Sequence, residues 1–209
     1  QAENIKRDRN RASIILWSLA NETPLGDARN AFLHALAADA RALDDTRLIT
    51  AALLTERRED AGRPLMVIND PLADLLDVLG VNTYNGWYSG DALSALPEIA
   101  WRSDYGKPMI FSEFGADAKA GFHDAELTRK FSEEFQAEYH RQTLAMSARI
   151  PFLRGLSPWI LKDFRSPRRQ HPIHQQGWNR KGLVSETGAR KQAFDVLAAH
   201  YRRLAGEHR

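Results

Sequence analysis

Five short apolar runs, each followed by a longer or more polar stretch, predict an α/β fold built on parallel strands. The positions of the polar residues narrow the class. Asn21-Glu22, Asn82-Tyr84, Ser112-Glu113 and Trp159 stand near the C-terminal ends of different runs. In a closed barrel those ends meet at one mouth, where catalytic residues collect. An open nucleotide-binding sheet would instead carry a glycine-rich phosphate loop after its first strand, and the sequence there is ANETPLGD. The pattern therefore predicts part of a (β/α)8 barrel.

Taken in order, SIILWSLANE (13–22) reads as a buried strand that ends in polar residues. DARNAFLHALAADARAL (27–43) has Ala, Leu and Phe at helical spacing, with Asp27 placed to cap the helix or favour its dipole. RLITAALL (47–54) is the second strand. The polar stretch TERREDAGRP reads as a loop, and PLADLLDVLG around 71–80 as a short helix. VLGVNTYNGWY (78–88) is the third strand, and LSALPEIAWRSDYG a helix started or interrupted by Pro97. KPMIFSEFG (107–115) is the fourth strand, and residues 127–148 a long amphipathic helix. FLRGLSPWILKDF (152–164) is the fifth strand. A loop rich in Pro, Arg, His and Gln follows it, and the last helix covers about 188–204.

With 209 residues, 43% hydrophobic and 27% charged, the chain has the composition of one globular domain. No apolar run approaches the ~18–20 residues of a membrane span, so no membrane partner is expected. Cysteine is absent, which excludes disulfides and Cys-based zinc sites and is compatible with cytoplasm or periplasm. The net charge of +2 is small, and the basic residues lack the aromatic interleaving of a nucleic-acid surface. His171 and His174 are spaced i,i+3, but Pro172 opposes a helix there and no carboxylate completes a set; neither a metal nor a cofactor is expected. The polar, Met-less start leads almost at once into a strand, so the chain is read as entering its fold midway.

A carboxylate at the end of an apolar strand is costly to bury unless paired or used. Glu22 and Glu113 close runs three strands apart, as glycoside hydrolysis requires of an acid and a nucleophile or base. On spacing alone, two salt-bridged strand-end residues explain the pattern equally well.

The strings ILWSLANE, PMIFSEFGAD, SEEFQAEYH, PWILKDF and WNRKGLVS, in order along nearly the whole chain, resemble glycoside hydrolase family 2, nearest its β-glucuronidase and β-galactosidase branch. The resemblance implies that Glu22 is the acid/base after the fourth strand of a TIM barrel and Glu113 the nucleophile after the seventh. Residues 1–209 would then be a partial catalytic barrel carrying strands four to eight with their helices. Strands one to three and the N-terminal β-sandwich domains would lie outside the chain. A barrel so cut is expected to be poorly soluble or oligomeric in isolation. The implied partner is a carbohydrate, the implied reaction double displacement, and the parent enzyme a candidate homo-oligomer. A non-catalytic carbohydrate-binding barrel or inert fragment is the alternative from another class.

The same resemblance distributes the binding roles. Asn21 matches a residue that hydrogen-bonds the sugar 2-hydroxyl. Tyr84 is expected to donate to Glu113, with Asn82 pointing the same way and Tyr88 lining the mouth. Trp159 matches a tryptophan that packs on the sugar face. Asn179 and Lys181, in WNRKG, match an N-x-K pair that binds a uronic-acid carboxylate, which favours β-glucuronides over neutral β-galactosides. Arg165, Arg168 and Arg169 add positive potential or pair with nearby carboxylates. Their loop, RSPRRQHPIHQQGW, departs in composition from the family's pattern and leaves the sugar open.

Overall fold

A computed structural model describes residues 1–127 and 129–207. In chain order the elements are helix α1 (Ala2–Asp8), strand β1 (Leu16–Asn21), helix α2 (Asp27–Leu43), and strands β2 (Leu48–Leu53), β3 (Glu56–Asp60) and β4 (Arg63–Ile68). A 3-10 helix (Pro71–Leu75), strand β5 (Val78–Asn82), a second 3-10 helix (Leu93–Glu98), and strands β6 (Ala100–Ser103) and β7 (Met109–Glu113) follow. Helix α3 (Glu133–Ser147), strand β8 (Leu153–Leu156), the two-residue strands β9 (Phe164–Arg165) and β10 (Trp178–Asn179), and helix α4 (Gln192–Glu207) complete it.

The chain divides into two compact units, residues 1–82, 99–112 and 150–157, and residues 83–98, 113–149 and 158–209. The first holds the main sheet, in the order β1-β2-β5-β7-β8, with parallel pairing of β1 to β2, β2 to β5 and β7 to β8. Trp17, Leu19, Ile49, Leu53, Leu79, Val81, Met109 and Phe111 from these strands are buried. On α2 the buried stripe is Leu33, Ala37 and Ala40, the spacing of one helical face, while Phe32 is exposed. Asp27 sits in the first turn of α2 without capping it through its side chain, so its contribution is to the helix dipole. The second unit packs α3 against α4 and the second 3-10 helix, around Phe114, Phe135, Tyr139, Met146 and Leu197.

Five expectations about elements need correction. The polar stretch after β2 is a β3–β4 hairpin, turned by Ala61 and Gly62 at positive φ (49° and 78°), and β4 also pairs with β6. Every β3 side chain is exposed, so the strand is held by its backbone ladder and carries no burial pattern to read. Residues 71–80 contain a single 3-10 turn before β5, and 93–106 a 3-10 helix followed by β6. Pro97, inside that 3-10 helix, lacks the N–H that a longer α-helix would need. Helix α3 begins at Glu133 and not at 127, because Ser132 caps it by accepting from the Phe135 N–H at 3.1 Å. Strand β8 ends at Leu156, so Trp159 lies beyond the strand.

Candidate active site

In the first unit, three predicted residues meet at the C-terminal ends of the strands. Ser112 Oγ donates to Asn82 Oδ1 at 2.8 Å, and Asn82 Nδ2 donates to Asn21 Oδ1 at 2.9 Å. This chain fixes the Asn21 amide with its carbonyl occupied. Its Nδ2 has no partner among the described residues, so the exposed Asn21 keeps two N–H donors in reserve. Asn82, expected to point toward Glu113, has Ser112 and Asn21 as its partners.

Glu22 follows β1 directly. Its N–H donates to the Ala52 carbonyl at 2.9 Å, and its φ of 49° is left-handed, which costs a non-glycine residue roughly 1–2 kcal/mol. Such conformations persist only where neighbouring structure holds them, and they concentrate at functional sites. Beside it, Arg29 Nε donates to Thr23 Oγ1 at 3.0 Å while its guanidinium forms a paired bridge to the buried Asp70 at 2.7 Å. The Glu22 side chain is exposed.

In the second unit the centre is Glu113. Tyr84 Oη donates to its Oε2 at 2.6 Å. Burial, then the carboxylate beside it, push the Tyr84 phenol far above its ordinary pKa of 10, so it remains a donor at any working pH. The pair is fixed by the backbone as well. Thr83 N–H donates to the Glu113 carbonyl at 2.9 Å, and the buried Tyr139 of α3 accepts from Gly115 N–H and donates to the Thr83 carbonyl. Tyr139 was missed in the sequence, where it reads as one more aromatic on an amphipathic helix.

Trp159, half-buried, donates its backbone N–H to the Phe114 carbonyl at 2.8 Å, and its peptide bond to Ile160 is cis. Gly115 leaves room for this approach, since a Cβ there would collide with the Trp159 carbonyl. The indole meets the Phe164 ring edge-on, with centroids 5.9 Å apart.

Lys181 is 1% exposed and not the solvated side chain that N-x-K allows. Its Nζ donates to Asp117 Oδ1 at 2.7 Å and to Tyr88 Oη at 2.9 Å, with the Tyr88, Trp87 and Tyr84 ring centroids 5.0, 5.5 and 5.7 Å away. Asn179 Oδ1 accepts from the Lys181 N–H at 3.1 Å, and its Nδ2 has no partner among the described residues. Asp117 is fully buried, and its second oxygen takes a short hydrogen bond from Gln175 Nε2. Asp117 was also missed; only its place in SEFGAD, four residues after Glu113, pointed to it. The segment carrying Asn179 and Lys181 is anchored by Lys191, whose buried Nζ donates to Asp163 Oδ1 and to the Ala118 and Arg180 carbonyls at 2.6–2.9 Å.

His171 and His174 do not converge on a shared centre. Their rings stack on each other 4.9 Å apart and on Phe131, and no group of three His, Asp or Glu suited to a metal occurs among the described residues. No helix among the described residues is long and apolar enough to cross a membrane.

The family model described as "Glycosyl hydrolases family 2, TIM barrel domain" matches residues 1–177, so the sheet of five strands belongs to a TIM-barrel domain. The chain is a member of glycosyl hydrolase family 2. It is 32% identical to a beta-glucuronidase of Rattus norvegicus over 220 residues (99% of this chain, 31% of the relative), and 30% identical to one of Paenibacillus borealis over 213 residues (94% and 32%). Among solved structures, a Faecalibacterium prausnitzii beta-glucuronidase is similar with a TM-score of 0.75 at 30% identity, covering 97% of this chain and 33% of that one. The chain thus spans about a third of the length of the relatives it matches.

Proposed function

We propose that the protein is a retaining β-glycoside hydrolase acting on β-glucuronides or related uronides. The observation that carries the reading is the 2.6 Å hydrogen bond from Tyr84 to Glu113. A phenol that stays protonated and donates to a carboxylate favours its ionised form, as a nucleophile needs. Glu113 attacks the anomeric carbon, forming an acylal ester as the bond to the leaving oxygen breaks, and Glu22 gives that oxygen its proton. Glu22 then takes a proton from water, whose oxygen attacks the same carbon and releases Glu113 and the sugar. The product keeps the β configuration because the carbon is inverted twice. Retaining chemistry requires the two carboxyl groups to stand ~5–5.5 Å apart.

The donors of Asn21 supply a contact to the sugar 2-hydroxyl that strengthens in the transition state. Trp159 offers an apolar face to the ring. Asn179, Lys181 and Tyr88 address the carboxylate at C6, and the similarity to beta-glucuronidases supports a uronide over a galactoside. The test compares chromogenic β-glucuronide and β-galactoside in the full-length protein, with Glu113→Gln and Lys181→Ala alongside. Preference for the glucuronide, abolished in Glu113→Gln and lost in Lys181→Ala, is the expected result. A galactoside preference indifferent to Lys181 overturns the sugar, and full activity in Glu113→Gln overturns the mechanism.

A further inference from the structure

The exposed Asn21 amide can face a ligand in two ways, and its neighbours choose between them. A side-chain amide donates at one end and accepts at the other. Two amides joined by one hydrogen bond therefore have two arrangements, each the reverse of the other. In the first, Asn82 Nδ2 donates to Asn21 Oδ1, as found at 2.9 Å, and the Asn21 N–H groups face outward. In the second, Asn21 Nδ2 would donate to Asn82 Oδ1 and turn its carbonyl outward. Only the first offers a sugar oxygen a hydrogen-bond donor.

The next link selects the first arrangement. Ser112 Oγ donates to Asn82 Oδ1 at 2.8 Å, which commits that oxygen and leaves Asn82 Nδ2 to point at Asn21. The Ser112 hydroxyl has no other hydrogen bond among the described residues, so the reverse arrangement would cost its proton the acceptor it now has. The three residues stand on β1, β5 and β7, all within the first unit. Gly80, two residues before Asn82 and so on the same face of β5, leaves room for the hydroxyl. A Cβ there would stand 3.3 Å from Ser112 Oγ and 2.6 Å from the Ala51 carbonyl oxygen.

We propose that Ser112 and Asn82 are positioning residues that set the polarity of the Asn21 amide, so that Asn21 meets the sugar 2-hydroxyl as a donor. This assignment rests on the β-glycosidase reading above, in which Asn21 contacts that hydroxyl, and adds what orients it. Asn82→Asp is the sharpest perturbation, because it alters the hydrogen-bonding character and hardly the shape. An ionised aspartate only accepts, so it takes both the Ser112 proton and an Asn21 N–H, and Asn21 turns its carbonyl outward. Ser112→Ala removes the group that selects the arrangement, and Ser112→Thr keeps it.

In the full-length protein, kcat/KM is measured for an aryl β-glycoside and its 2-deoxy counterpart, after subtraction of spontaneous hydrolysis. The pair is made on whichever of the glucuronide and galactoside the parent turns over faster, so a wrong sugar changes the substrates and not the test. The ratio of 2-hydroxy to 2-deoxy rates cancels damage common to both, including the effect of a new charge on the catalytic carboxyls. In Asn82→Asp this ratio falls about tenfold, as it does in Asn21→Ala. Ser112→Ala lowers it about threefold, and Ser112→Thr returns it to within about twofold of the parent. A ratio that falls in Asn21→Ala but is unmoved in Asn82→Asp and Ser112→Ala overturns the inference and leaves the reading of Asn21 standing. Equal losses in Ser112→Ala and Ser112→Thr also overturn it, since they reflect packing and not the hydroxyl. A ratio unmoved in Asn21→Ala, or a parent inactive on both sugars, removes the underlying reading and the inference together. If Asn82→Asp does not fold, the comparison of Ser112→Ala with Ser112→Thr decides alone.

Discussion

Replacing Tyr84 with phenylalanine removes one oxygen and leaves the ring that packs 5.2 Å from Tyr88. The lost contact is a 2.6 Å O–H···O bond to the Glu113 carboxylate, and hydrogen bonds to charged groups contribute about 1.5–3 kcal/mol. Because the bond favours the ionised carboxylate, its loss raises the pH at which Glu113 gains its proton, by about 1–2 pH units at 1.36 kcal/mol per unit. The acid limb of kcat/KM against pH, measured on a chromogenic β-glucuronide, moves up by that amount in Tyr84→Phe. At neutral pH kcat falls roughly ten- to hundredfold, with KM changed less, since the bond steadies a charge that the reaction moves. Thermal stability serves as the control, because the substitution opens no cavity. An unmoved acid limb together with kcat within about twofold of the parent would refute the role given to Tyr84.

Two further predictions address what holds the second unit together. His140 is fully buried against Phe114 with neither ring nitrogen bonded among the described residues, and burial pushes its pKa down to about 3. A folded-state pKa below the ordinary ~6.5 gives a contribution that is complete above that pH and is lost as pH falls toward 3. Between pH 7.5 and 4.5 the parent should lose about 2–3 kcal/mol more than His140→Leu in urea unfolding, and parallel slopes would contradict this. Lys191→Met deprives the buried Asp163 of its 2.8 Å partner and should cost about 3–5 kcal/mol; adding Asp163→Leu should recover more than half, and a double variant no better than the single would contradict the pairing.

The legible parts of the fold were those where burial writes a pattern. β1, α2, β2 and β7 were readable from apolar runs or periodicity, and α2 covers the expected residues 27–43. β3 was not legible, because ERRED is exposed throughout and its pairing depends on a turn at Ala61-Gly62. Trp159 was expected on β8, since PWILKDF is apolar enough to look like a continuing strand, but it lies beyond it; a backbone contact to Phe114 and not the main-sheet ladder holds it. Among the candidate site residues, the Tyr84–Glu113 contact was foreseeable from the resemblance. Asp117 and Tyr139 were not, because they act on Lys181, Gly115 and Thr83 across long sequence separations that no local spacing encodes.

The central claim is that Glu113 is the nucleophile, and a covalent trap tests it most directly. A 2-deoxy-2-fluoro-β-glucuronide with a good leaving group slows both chemical steps, and the second step more when the leaving group compensates for the first. Incubation with the full-length protein, digestion and peptide mass mapping then locate the label. The account predicts one fluoroglycosyl adduct per active site, on the peptide containing Glu113 and absent from Glu113→Gln. An adduct on the peptide containing Glu22, or no adduct alongside a product of inverted configuration, would contradict it.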